Sequence, residues 1–252
     1  MLLLLFVAYA LALSIALGYR GWRPSQSVAA TPPGTAAGAP RILRILIVGA
    51  TGGTGRQLMA QALERGYEVT ALVRRPETIA MEHPRLTVKR GDVLDGASLD
   101  AAVRGQDAVV SALGHKQFYR PTRIQSAGTA NLLAAMAEDG VRRFVCETSL
   151  GLGDSAGRMG LLFTFFVIPF VLPFYFWDKA RQERVIAASA ADWVIVRPGA
   201  LTNGPRRGRC RHGATVGNVL WGGRISRADV ADFMLNQLES DTYLRTAPGI
   251  CW

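Results

Sequence analysis

Apolar residues follow two rhythms along the chain. Short β-branched and leucine-rich runs at 45–48, 69–73, 86–92, 108–113, 143–148 and 193–197 predict buried strands. Between them apolar positions recur every three or four residues, as at Leu132, Leu133 and Met136, which predicts helices packed on a sheet. A short helix is expected over 98–103 and another over 226–238. Ser226 is the candidate N-cap of the latter, with Asp229 three residues on in place of the usual Glu of a capping box. Strands alternating with helices imply an α/β fold, a Rossmann-like doubly wound parallel sheet with its ligand crevice beyond the carboxyl ends of the strands. Gly49, Gly114 and Ser149 should face that crevice. The segment from Arg206 onward reads as irregular apart from its one helix, closing the substrate side.

Two runs break the rhythm by being apolar throughout. Residues 1–18 carry no charge and, at 1.5 Å per residue, reach roughly 27 Å, enough for a thin hydrocarbon core. A cleaved signal peptide would have a positive n-region, and the small-residue site Val28-Ala29-Ala30 lies far downstream. The arginines instead follow the run, so the expectation is an uncleaved membrane anchor with the catalytic domain in the cytoplasm; a soluble cytoplasmic protein is the alternative. Residues 19–40, rich in Ser, Ala, Thr, Pro and Gly, read as a flexible linker, and a single domain should span 41–252. The second run, 160–177, contains Pro169 and Pro173. The expected readings are, in order, a lid over the substrate pocket, a loop dipping into the bilayer, and a spanning helix.

Composition narrows the function. A chain of 252 residues with 49% hydrophobic and 19% charged residues suits one folded domain plus an appendage. The formal charge is +10, but Arg20, Arg23, Arg41 and Arg44 lie in or beside the leader and linker, leaving +6 scattered among acids. That is not the basic stripe of a nucleic-acid binder. Cys146, Cys210 and Cys251 show no CxxC spacing and no cluster with His83, His115 or His212, so neither a disulfide framework nor a metal site is indicated. Cys146, inside an apolar strand, reads as a small core residue.

The candidate chemistry begins at Gly49-Ala50-Thr51-Gly52-Gly53-Thr54-Gly55, between a strand and a helix. A dinucleotide's diphosphate sits on a helix N-terminus only where the backbone turns tightly and nothing projects from it, which requires Gly49, Gly52 and Gly55. The next strand ends in Arg74 and Arg75, with no acid before Glu77. Arginine's fork suits the 2′-phosphate of NADP, where an acid would select NAD. Asp92, next to Val93, is placed to hold the adenine edge or else to cap a turn, and Leu113-Gly114 ends the fourth strand where a backbone can approach a ligand. Tyr175 and Lys179, four apart, share a helix face, and a nearby ammonium makes a phenol the better proton donor. With Ser149 they would form a reduction site.

These motifs, with Thr148-Ser149, Asp178-Lys179 and Val196-Arg197-Pro198-Gly199, give the chain a resemblance to the atypical short-chain dehydrogenase/reductases, over roughly residues 44–238. Within them it is similar to the NAD(P)H-binding, NmrA-like group that includes the flavin/biliverdin reductases. The resemblance implies NADPH as cofactor and hydride transfer to a flavin, quinone, tetrapyrrole or other carbonyl-type small molecule. It also implies that Thr148 or Ser149 lies near the nicotinamide, with Pro198 and Gly199 bordering it. In a reductase built this way Lys179 would hold the ribose and tune Tyr175. Two features depart from that group: Tyr175 at the catalytic position, and the two apolar runs, which suggest an apolar substrate and membrane association through 1–18 and 160–177. The competing expectation is a non-catalytic NADP-binding regulatory or assembly protein of the NmrA-like type. An isomerase or epimerase that retains its nucleotide stands third.

Overall fold

A computed structural model describes residues 43–252 apart from 116, 117 and 119, together with residues 8 and 9. The anchor over 1–18, the linker over 19–40 and the domain start near residue 41 therefore fall outside the described residues, save Ala8 and Tyr9.

The chain alternates strand and helix from β1 (Arg44–Val48) through α1 (Gly53–Glu64), β2 (Glu68–Val73), β3 (Leu86–Arg90), α2 (Gly96–Val103), β4 (Ala108–Ser111), α3 (Ile124–Glu138), β5 (Arg143–Glu147), α4 (Pro173–Ala187) and β6 (Asp192–Pro198). After these come β7 (Ala200–Thr202), β8 (Arg211–Gly213), β9 (Arg224–Ser226), α5 (Arg227–Asn236) and β10 (Gly249–Cys251). The main sheet has the order β3-β2-β1-β4-β5-β6-β10-β8, with β7 and β9 forming a separate pair. Every neighbouring pair in the main sheet is parallel except β10 with β8. The order reverses between β1 and β4, and a ligand crevice belongs at that switch point.

The central strands are apolar along their whole length because helices cover both faces. One face packs Ile45, Ile47, Val110 and Val194 under Leu58 and Met59 of α1 and Val230 and Met234 of α5. The other packs Leu46, Val109, Phe144 and Ile195 under Leu99 of α2, Leu132 and Met136 of α3 and Ile186 of α4. Each such buried side chain contributes about 1.5–3 kcal/mol relative to exposure. Cys146 lies within this second cluster, fully buried, and burial pushes its thiol up to about 12.

Three differences from the sequence expectations matter for the site. The third and fourth strands stop at Arg90 and Ser111, short of 92 and 113, because the residues beyond are recruited elsewhere. The Asp92 carboxylate accepts the Leu94 N–H at 3.0 Å, and the Leu113 carbonyl accepts from Lys179. The end of the chain is also more regular than expected, since β10 returns to the main sheet beside β6. Finally, 160–177 is a helical stretch, Gly160–Leu162, running into a π-helix, Phe163–Val171. The Leu172 N–H bonds five residues back to Val167, and the chain then bends by 98° into α4. Pro173 occupies N1 of α4, where its missing N–H costs nothing. Among the described residues no single helix is long and apolar enough to cross a membrane.

Candidate active site

The glycine turn is built by its own sterics. Gly49 has φ +82°, and a Cβ there would stand 2.4 Å from the Ala112 carbonyl oxygen. A Cβ at Gly55 would stand 2.1 Å from the Gly49 carbonyl oxygen, so the turn closes only with glycine at both positions. Thr51, Gly52 and Gly53 are exposed above it, and the first helical bond runs from the Arg56 N–H to Gly52. No side chain caps this N-terminus and no acid stands in its first turn. Such an open helix end, with its dipole and unspent N–H groups, is a cradle for a diphosphate. Below it the Thr54 hydroxyl donates to the Glu147 carboxylate at 3.1 Å.

The other sequence-predicted cofactor residues lie at or just beyond the carboxyl ends of neighbouring parallel strands. Arg74 and Arg75 are exposed at the carboxyl end of β2. Asp92 serves as a turn cap through the Leu94 N–H, one of the two roles expected for it. Val93 is buried against Gly128 of α3, where a Cβ would come within 2.6 Å of the valine methyl. Gly199 lies against Gly223, a Cβ there being 2.3 Å from its carbonyl oxygen, and the Pro198 carbonyl accepts the Leu150 N–H. The groove thus follows the ends of β1, β2, β4, β5 and β6, and these residues can hold a nicotinamide dinucleotide along it.

The acceptor side rests on Asp178 and Lys179. Asp178, fully buried on α4, accepts the Gln125 and Ser126 amides at 2.9 and 3.1 Å and the Ser126 hydroxyl at 2.5 Å. It thereby caps α3 from a neighbouring helix, since Arg123 at the N-cap provides no side-chain bond. The Lys179 ammonium donates to the carbonyls of Glu147 at 2.9 Å and Leu113 at 3.3 Å, tying together the ends of β5 and β4. Burial opposes its charge, but Tyr175, Cys146, Glu147 and Glu183 raise its pKa above the usual lysine value. Its Nζ stands 5.6 Å from the Tyr175 ring centre. A Cβ at Gly114 would lie 3.6 Å from the Tyr175 hydroxyl, so that hydroxyl sits at the crevice. Ser149 is nearby in sequence, yet its hydroxyl donates to the Leu150 carbonyl at 3.0 Å and touches the Met159 sulfur at 3.9 Å. The structure pairs Tyr175 with Lys179 and turns Ser149 toward its own loop. Thr148 is committed as well, its hydroxyl donating to Glu183 at 2.7 Å.

Several residues around the site escape sequence reasoning. Glu147 is buried beneath the glycine turn; burial raises its pKa, against the pull of Lys179, Thr54 and Arg227. Glu183, fully buried, receives a two-pronged contact from Arg197 at 2.9 and 2.7 Å, and Arg197 also reaches Asp154. The His115 ring packs at a 59° tilt with its centre 5.2 Å from that of Tyr175, and its Nε2 is 3.0 Å from the Thr122 hydroxyl. Burial lowers its pKa, Asp178 opposes that and Lys179 adds to it, so its neutral form is favoured. No spacing links these partners; only Glu147, an acid at the end of an apolar strand run, could have signalled a buried charge seeking one, whereas Glu183 lies among Arg181, Gln182 and Arg184 and reads as helix surface.

Comparison with known proteins bears on the family and the fold. An uncharacterized chloroplastic protein of Arabidopsis thaliana is 32% identical over 218 residues, covering 81% of this chain and 75% of that one. The structure of ChuY, an anaerobilin reductase of Escherichia coli O157:H7, is similar with a TM-score of 0.68 at 22% identity, over 82% of this chain and 96% of the other. A short-chain dehydrogenase/reductase of Veillonella parvula in complex with NADP has a TM-score of 0.68 at 21% identity, over 84% and 95%. These two likenesses show the fold. A model of the NAD(P)H-binding family matches residues 49–241, from the first glycine of the turn to beyond α5. The chain therefore belongs to the NAD(P)H-binding family.

Proposed function

We propose that the protein is an NADPH-dependent oxidoreductase that reduces an apolar flavin, quinone, tetrapyrrole or other carbonyl-type acceptor. The observation that carries this reading is the Tyr175–Lys179 pair, placed beside Gly114 in the same crevice as the open glycine turn. When bound, the cofactor supplies a hydride. The protein's own groups do the rest. Arg74 and Arg75 take the 2′-phosphate, and the glycine turn holds the diphosphate. Tyr175 gives its proton to the acceptor atom on which the hydride leaves negative charge, an oxygen in a quinone or carbonyl and a ring nitrogen in a flavin or tetrapyrrole, and the Lys179 charge, fixed by two strand-end carbonyls, stabilises the phenolate left behind. Ser149 orients the acceptor oxygen by exchanging its bond to Leu150 for one to the substrate.

The acceptor's apolar character is supported by exposed apolar side chains on the 160–177 run and on the loop beside it. Leu162, Leu220 and Trp221 are 65%, 66% and 78% exposed. A Cβ at Gly160 would stand 2.5 Å from the Gly222 amide nitrogen, so the loop carrying Leu220 and Trp221 adjoins the apolar run. The Tyr9 ring lies 5.9 Å from that of Phe170 on the same run. This face, with 1–18, is proposed to rest on a membrane, with the catalytic domain on the cytoplasmic side. Co-sedimentation of the full chain with anionic vesicles checks that part: Leu220→Ser with Trp221→Ser should weaken it, the remainder being due to 1–18.

The chemical reading is tested by following NADPH oxidation with FMN, a quinone and a set of carbonyls. Tyr175→Phe is expected to lower kcat about 100-fold with the NADPH Kd unchanged. Tight NADPH binding with no turnover above background across the set would instead assign the protein to regulation by cofactor occupancy.

A further inference from the structure

We propose that Arg227 is a ligand of the cofactor diphosphate, its guanidinium reaching across Gly53 to the open N-terminus of α1. The assignment rests on the cofactor reading above and adds a residue that the glycine motif does not contain. Arg227 is the first residue of α5, a helix whose N-terminus is already closed by Ser226 and Asp229. A cation at that position meets the positive end of its own helix, so α5 gains nothing from it.

Its stem instead lies over the glycine turn. A Cβ at Gly53 would stand 2.5 Å from the Arg227 Cδ and 2.6 Å from its Nε. Gly53 thus has a task distinct from that of Gly49 and Gly55: it lets an arginine from α5 pass over the first turn of α1. At the far end Nη1 donates to the Asn203 side-chain oxygen at 2.6 Å. Asn203 is neutral, and Arg227 forms no ion pair among the described residues. Glu147 is near enough for its carboxyl to feel the guanidinium charge, but it spends its hydrogen bond on Thr54.

A guanidinium beside an uncapped helix N-terminus places two positive fields together with no acid in the first turn to offset them. That arrangement is favourable once an anion lies between them. A diphosphate fits, because it offers several acceptor oxygens to a fork with five N–H donors. Asn203 holds the fork until the phosphates arrive.

Calorimetry on the full chain tests this, with NADPH as one probe and 2′-AMP, which lacks the diphosphate, as the other. Arg227→Gln is expected to weaken NADPH about tenfold or more while leaving 2′-AMP unchanged, with Arg227→Lys falling between. Gly53→Ala should displace the arginine and weaken NADPH similarly, and adding Arg227→Gln to it should cost little more. Equal NADPH affinity in wild type and Arg227→Gln, or a parallel loss of 2′-AMP, would overturn the assignment and leave the cofactor reading standing. No heat from wild type with NADPH or NADH would overturn both.

Discussion

The N-termini of α1 and α3 lie at the same end of one sheet and are finished in opposite ways. At α3 the orphan amides of Gln125 and Ser126 are met by a buried carboxylate, Asp178, carried in by α4. At α1 no acceptor is carried in: Gly52 provides no side chain, the first turn holds no acid, and Gly52 and Gly53 remain exposed. The N-terminus of α5 follows the α3 pattern, with the Ser226 hydroxyl bonded to the Asp229 amide. At α3 and α5 the capping oxygen comes from within the fold; at α1 it is left to come from outside. The N-termini of α2 and α4 also carry no side-chain cap, so what sets α1 apart is the tight glycine turn that leaves its first residues exposed.

The contrast breaks most sharply at Gly55. Gly55→Ala drives a Cβ to 2.1 Å from the Gly49 carbonyl, so the turn must open. The expected cost is about 3 kcal/mol in denaturant unfolding, with NADPH binding lost. Asp178→Ala should cost about 2–3 kcal/mol, because two amides and a hydroxyl lose a charged partner. NADPH affinity should change far less, since Asp178 serves α3 and not α1.

Gly52→Asp sharpens the comparison by giving α1 the carboxylate that α3 has. The backbone at Gly52, φ −71° and ψ 166°, accepts an L-residue, and the new Cβ would meet the Gly49 oxygen at 3.2 Å. Stability should shift by only a few tenths of a kcal/mol. Diphosphate binding should weaken by about 2 kcal/mol, roughly 30-fold, through like-charge repulsion.

The smallest effect concerns Asp229. Burial would raise its pKa, but the Trp252 indole N–H, the Gly208 and Arg207 amides and the Ser226 hydroxyl hold it below the usual carboxylate value. A carboxyl lowered in the native state stabilises the fold above its unfolded pKa, about 3.9, and that stability fades as pH falls through the native value. Asp229→Asn should flatten the acid limb of a pH–stability profile and cost about 1 kcal/mol at neutral pH.

How much of this was legible depended on sequence distance. The β1–α1–β2 unit is contiguous, so hydrophobic runs, glycine turn and strand-end arginines could be read together. The Ser226–Asp229 box spans four residues and was equally plain. Asp178 reads in sequence only as the neighbour of a lysine, because the amides it caps are 52 and 53 residues away. Glu183 and Arg197, fourteen apart, sit on a helix and a strand whose facing only the fold sets. Strands β7, β8, β9 and β10 have three residues each, too short for any periodicity, and exist through their distant partners. Arg227 looks like ordinary helix surface until α5 is laid against α1.

The claim on which the rest depends is that the open end of α1 is a diphosphate site. The most direct test is calorimetric titration of NADPH into the full chain and into Gly52→Asp, with thermal midpoints measured alongside. The account predicts one-to-one binding by wild type and about 30-fold weaker binding by Gly52→Asp at a nearly unchanged midpoint. Equal affinity in the two proteins would contradict it.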